Sequence, residues 1–220
     1  MTRKLKVLGL AAFAILAVSA MSAASAQAIS GISKPAESIW VTTTPDGTGK
    51  TAHHVFDAAG ASITCTQGKG EATIAGTETK VVTTVIEKTI EFTGCSFLGQ
   101  AASVVGNGCD GHVGISGGEI ITSIVGCNPG KTVEFSVASP PCLVSVPEQA
   151  LFGVTAHNLN ANEITVEAHV SGVKYTATGS GCPITGTFSN GNYTTGNHIL
   201  TGQKDVGGVG GEMVPIQVIP

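Results

Sequence analysis

The chain has 220 residues, of which 42% are hydrophobic and only 12% charged, with 30 glycines and a formal charge of −4. The charged share is about half of the usual ~25%, and the acidic balance excludes the clustered Lys and Arg that nucleic-acid binding needs and disfavours anionic membrane surfaces. Abundant Val, Ile and Thr supply a core and argue against disorder.

The first 28 residues, MTRKLKVLGLAAFAILAVSAMSAASAQA, open with Arg3, Lys4 and Lys6, continue through an uncharged run at 7–20 and end in two Ala-x-Ala sites. That is the pattern of a cleaved secretory signal. The apolar run is shorter than the ~20 residues a spanning helix needs, so no transmembrane anchor is expected after cleavage behind Ala26 or Ala28. Cleavage removes three of the 11 basic residues and none of the 15 acids, which moves the charge from −4 to −7 and leaves no arginine. The remainder, 29–220, is expected to form one domain. Its one composition break, the tandem prolines of SPPC, would place a sub-boundary near 139–141.

Along the mature chain, apolar and polar residues alternate with period two, the mark of half-buried strands. SIWVTTT carries Trp40 between Ile39 and Val41. KVVTTVIEKTIEF puts Val82, Thr84, Ile86, Ile90 and Phe92 on one side and Glu87 and Glu91 on the other, with Lys88 marking a bulge or a strand end. KTVEFSV repeats the pattern through Val133, Phe135 and Val137, and EITVEAHVSG through Ile164, Val166, Ala168 and Val170. Between these runs, PDGTG, DAAG, GNG, GSG, SNGN and VGGVGGE supply the positive φ angles of tight turns. PEQALF, with Pro147 at its start, predicts a single helical turn, and MVPIQVIP predicts an edge strand tolerant of Pro215. Roughly a dozen short strands without intervening helices predict an all-β fold, an antiparallel β-sandwich with jelly-roll or immunoglobulin-like layering.

Six cysteines, Cys65, Cys95, Cys109, Cys127, Cys142 and Cys182, follow the signal. An even count in an exported chain predicts three disulfides, for which about 15 pairings exist. Sequential pairing is the expectation. A metal site would want Cys-x-x-Cys pairs, and the sequence has none.

Several motifs invite a chemical reading. GCNPGKT at 126–132 resembles a phosphate-binding loop, but only three residues separate Gly126 from Gly130 and an alternating strand pattern follows where a helix is required. GISGG around Ser116 fits Gly-x-Ser-x-Gly, and with His54 of TAHH it would suggest a serine hydrolase. The β-branched EIITSIVG that follows denies it the helix of a nucleophile elbow, so the segment is expected to be a turn between strands. Glu87 and Glu91 are expected to be solvated surface rather than a glycosidase pair. His53, His54, His112, His157, His169 and His198 lack ligand spacing and are expected at the surface. Asp46 and Asp110 read as turn residues, not calcium ligands. Phe56, Phe92, Phe135 and Phe188 are expected in the core, and Trp40, Tyr175 and Tyr193 are the rings available to stack on a glycan.

The segments HVFDAAGASITCT, FTGCSF, NGCDGHV, VGCNPGKTVEF, CLVSVPEQ, ITVEAHVSGVKYTATGSGC and GTFSNGNYTTG resemble those of uncharacterised secreted, six-cysteine all-β proteins of soil actinobacteria, over most of the chain from His54 to about Gly202. The resemblance implies export, β structure and disulfides, and carries over no activity. The expected function is that of a secreted or envelope-associated, non-catalytic bacterial protein without cofactor, whose partner is an extracellular protein or glycan. A carbohydrate-binding module is the alternative, and a secreted serine hydrolase stands behind it.

Overall fold

The structure is a computed structural model that describes residues 31–34, 39–45, 54–74, 81–82, 84–87, 89–116, 119–207 and 209–219. The signal peptide, residues 46–49 of PDGTG and His53 lie outside the described residues. Among those described there are nineteen strands and no helix. They run in order as β1 (Gly31–Ser33), β2 (Ile39–Pro45), β3 (His54–Ala58), β4 (Ala61–Ile74), β5 (Val81–Val82), β6 (Thr84–Glu87) and β7 (Thr89–Phe97). Then come β8 (Gln100–Ala101), β9 (Ser103–Val105), β10 (Asp110–Ser116), β11 (Glu119–Val125), β12 (Val133–Ala138) and β13 (Pro141–Val146). The chain finishes with β14 (Gln149–Asn158), β15 (Glu163–Thr178), β16 (Gly186–Thr195), β17 (His198–Asp205), β18 (Gly210–Met213) and β19 (Gln217–Ile219).

Every pairing is antiparallel, and 16 of the strands belong to one large sheet. That sheet folds back on itself because β17 pairs with both β2 and β15, closing a ring through β17, β2, β4, β3, β16 and β15. The result is the expected antiparallel sandwich. Its long strands serve both layers: β15 lies between β14 and β17 in its first half, and between β13 and β16 in its second. Likewise, β4 pairs with β3 at its start and with β2 at its end.

Turning this corner requires an irregularity. In β15 the inward positions are Ile164, Ala168 and Val170, then Val173, Tyr175 and Ala177, a change from even to odd. The register slips between Ser171 and Val173, where Gly172 takes a φ of 74° that a side chain would make costly. A bulge therefore lets one strand present apolar faces to both halves of the core.

The core has two clusters. Phe56, Ile63, Phe97, Val144, Val173 and Tyr175 belong to the first. Ile74, Ile120, Ile164, Leu200, Ile216 and Val218 belong to the second, and half-buried Val154 packs against both. In the last segment, Val214, Ile216 and Val218 are buried while Pro215 and Gln217 face outward, and Pro215 lies between β18 and β19, outside the strand ladders, where its missing N–H removes no ladder bond.

The cysteines pair sequentially, as expected: Cys65 with Cys95, Cys109 with Cys127, and Cys142 with Cys182. Cys65 and Cys95 face each other directly across β4 and β7. The predicted helical turn at PEQALF is not formed. Gln149, Ala150, Leu151 and Phe152 pair instead with β11, the Glu148 carboxylate accepts the Cys127 N–H at 2.8 Å, and Gln149 bonds the Lys174 backbone through both ends of its amide. Sheet pairing and side-chain capping together outweigh the local preference set by Pro147. The segment 139–141 is a hairpin turn, since Ala138 pairs with Pro141, and both its flanks belong to one sheet. In the glutamate-rich run, partner changes separate β5, β6 and β7, which pair with β1, β10 and β4 respectively; β6 ends one residue before Lys88.

Candidate interior binding site

The two layers do not close fully on one another. Between them lies a cavity of about 230 Å³, bounded by residues of β3, β4, β7 and of β9 through β17. Phe56, Phe92, Phe135, Leu151, Val154 and Val170 represent its mainly apolar wall. The phenylalanines pack on one another, with ring centroids 5.4 Å apart for Phe56 and Phe135 and 6.5 Å for Phe92 and Phe135. Small inward residues help to leave the space open: Gly68 and Gly70 on β4, and Ala168 on β15.

One wall is polar. Alternation along β3 turns His54, Phe56 and Ala58 inward, and on β16 and β17 the inward positions include Tyr193, Thr195 and His198. His54 stands directly opposite Thr195 in the β3–β16 pairing, with Tyr193 on the neighbouring diagonal. His54 Nδ1 lies 2.6 Å from Tyr193 Oη, His54 Nε2 lies 2.9 Å from His198 Nε2, and His198 Nδ1 lies 3.0 Å from the Gly196 carbonyl oxygen. The imidazole of His54 also meets the edge of Phe92, with centroids 5.1 Å apart. Gly68 makes this possible, because a Cβ there would collide with His54 Nε2.

A carbonyl only accepts, so His198 carries its proton on Nδ1. Its neutral Nε2 then accepts from His54 Nε2–H, which leaves His54 Nδ1 to accept the Tyr193 hydroxyl proton. The string is thus self-consistent with both rings neutral. Burial pushes the His198 pKa below the ordinary histidine value, opposed in part by its bond to the Gly196 carbonyl oxygen, which favours the protonated ring. No buried side-chain nitrogen or oxygen among the described residues lacks a partner.

His54 and His198 are therefore corrections to the expectation of surface histidines, being only 7% and 4% exposed. The signal was present in HVFDA, where His54 shares a face with Phe56 and Ala58. His157 and His169 are exposed as expected, the latter 3.0 Å from Glu167. Ser116 ends β10 and pairs with Glu119 of β11, while Gly117, Gly118 and the Ser116 side chain lie outside the described residues. Both ring nitrogens of His54 are engaged by Tyr193 and His198. GCNPGKT is a loop tied by the Cys109–Cys127 bridge and followed by β12.

The three candidate glycan rings are not brought together at the surface. Tyr175 is 3% exposed, stacks on Phe188 at 5.2 Å, and its hydroxyl accepts the Ala59 N–H at 2.9 Å. The bulge at Gly172 turns this residue into the core, which removes it from any solvent-facing platform. Tyr193 is half-buried and faces the cavity. Trp40 lies in β2 with its side chain outside the described residues. Glu91 is exposed, and the Glu87 side chain and Asp46 are outside the described residues. Asp110, expected in a turn, begins β10, where it pairs with Val125, and belongs to the cavity lining.

Fold and site together define a disulfide-stapled, antiparallel β-sandwich with an apolar cavity in its core. Three bridges and no free cysteine match an oxidising milieu. No helix among the described residues is long and apolar enough to cross a membrane. No protein-family model, curated protein or solved structure matches the chain.

Proposed function

We propose that the protein works outside the cytoplasm as a non-catalytic binding protein that houses one small apolar molecule between its sheets. The observation that carries this reading is the cavity of about 230 Å³ walled by aromatic and branched aliphatic side chains. Well-packed cores leave few voids larger than a water molecule, and each such void forfeits contact energy, so a space of this size suits an occupant. An apolar cavity of about 150 Å³ is known to stay dry and to take benzene. The signal-like N-terminus and the three disulfides support export.

Thermal unfolding of the oxidised protein with tetralin, a rigid ten-carbon hydrocarbon, tests the reading. Saturable one-to-one binding with a rise in Tm is expected, because a ligand that binds only the folded state stabilises it by RT ln(1 + [L]/Kd). Amide shifts in NMR spectra should change at Val154, Val170 and Tyr193. Absence of any saturable binding refutes it.

A further inference from the structure

Resting on the reading that the cavity holds a small apolar molecule, we propose that the occupant is an uncharged hydrocarbon of about ten non-hydrogen atoms bearing one oxygen, a ketone or an alcohol, whose oxygen accepts a hydrogen bond from Thr195 Oγ1.

Size, charge and donor geometry each narrow the class. A cavity of about 150 Å³ accommodates the six carbons of benzene, so 230 Å³ scales to about nine or ten heavy atoms. That is too little for a long acyl chain or a sterol.

Charge is decided by the wall. Neither Lys nor Arg is among the described residues lining the cavity, and its polar wall, the string of His54, His198 and Tyr193, is satisfied with both imidazoles neutral. A carboxylate placed there would be an uncompensated charge in an apolar medium, which is strongly unfavourable. Asp110 at the start of β10 adds an acid to the lining and disfavours anions further.

The donor is Thr195. A threonine hydroxyl offers one proton and two lone pairs. Thr195 Oγ1 accepts the Ala168 N–H at 3.0 Å, and that is its one hydrogen bond among the described residues. The bond orients the oxygen within the wall and leaves the O–H proton to be given to a ligand. Thr195 also faces His54 across β3 and β16, so its hydroxyl belongs to the largest polar group of the wall, with Thr122 on β11 and Asp110 on β10 the other polar side chains of a mainly hydrocarbon surface. A ligand with one oxygen at its end matches that polar group. A fully apolar molecule leaves the hydroxyl proton without an acceptor, and a molecule with several polar groups would put the others against Phe92, Phe135 and Val170.

The test compares four ligands of one ring skeleton at pH 8 on the full oxidised chain: tetralin, tetralone, tetralol and tetralin carboxylate. Tetralone and tetralol are expected to bind at least as tightly as tetralin, although water solvates them better, and the carboxylate at least 100-fold more weakly than tetralone. Thr195→Val should weaken tetralone about tenfold relative to tetralin, while Thr195→Ser, which restores the hydroxyl, returns the wild-type ratio. Thr122→Val, the same change at the other lining threonine, should leave the ratio where it was. Tetralone tenfold weaker than tetralin in the wild type, a carboxylate as tight as the ketone, or a ratio that responds to Thr122 and not to Thr195 overturns the proposal while leaving the cavity reading intact. If tetralin itself does not bind, both fall. Should Thr195→Val not fold, the wild-type series together with Thr195→Ser still decides the matter.

Discussion

Filling the cavity from within gives a test whose sign, not only its size, depends on whether the space exists. Ala168 lies on β15 opposite Val154, is 7% exposed, and faces the cavity. Ala168→Leu adds three carbons to a space scaled to hold about nine or ten. At about 0.8 kcal/mol per buried methylene the gain is at most about 2.4 kcal/mol. Ordering a leucine side chain costs roughly 0.5–1 kcal/mol of that, leaving about 1.5 kcal/mol. For a chain of this size 1 kcal/mol moves Tm by about 2–4 °C, so calorimetry should show a rise of about 3–6 °C, and tetralin affinity should fall in the same variant. If the layers are in fact closely packed at this point, the leucine has nowhere to go, and overpacking of that kind costs typically 1–3 kcal/mol. A fall in Tm therefore refutes the reasoning, as does unimpaired tetralin binding by a stabilised variant.

Acid should weaken the fold through His198. Because burial lowers its pKa in the folded state, the unfolded chain binds more protons in the window between the folded value and about 6.5. The associated stability is fully present above about pH 6.5 and is lost as pH falls through the folded-state value, with a slope of at most about 1.4 kcal/mol per pH unit. Urea midpoints measured from pH 7.5 to 5 should show this decline in the wild type and a shallower one in His198→Asn; equal slopes would count against it. Replacing both Cys142 and Cys182 by alanine opens a span of 40 residues and should cost about 4 kcal/mol by loop-closure entropy, against about 3 kcal/mol for Cys109 and Cys127 with a span of 18. Urea unfolding that reverses this order would show that the bridges act mainly through something other than the unfolded chain.

Much of the architecture is readable one residue at a time. Period-two alternation in EITVEAHVSG and KTVEFSV, glycine and asparagine at the turns, and β-branched residues where a helix was needed after Ser116 are local properties, and the strands β15, β12 and β11 follow from them. Local rules failed where a partner elsewhere in the chain outbid them: PEQALF became strand because β11 lay beside it. Alternation was also too rigid at Gly172, where a bulge reversed which side of β15 faces inward and so carried Tyr175 into the core. The interior site could not be read in this way. His54 meets Tyr193 and His198 across 139 and 144 positions of sequence, and no spacing rule links residues so far apart. A cavity is harder still, since it is the volume left over when two layers of fixed separation are lined by residues of unequal size. Composition and pattern specify which faces are apolar, but only the stacking of those faces, strand by strand, decides where Gly68, Gly70 and Ala168 coincide and leave room.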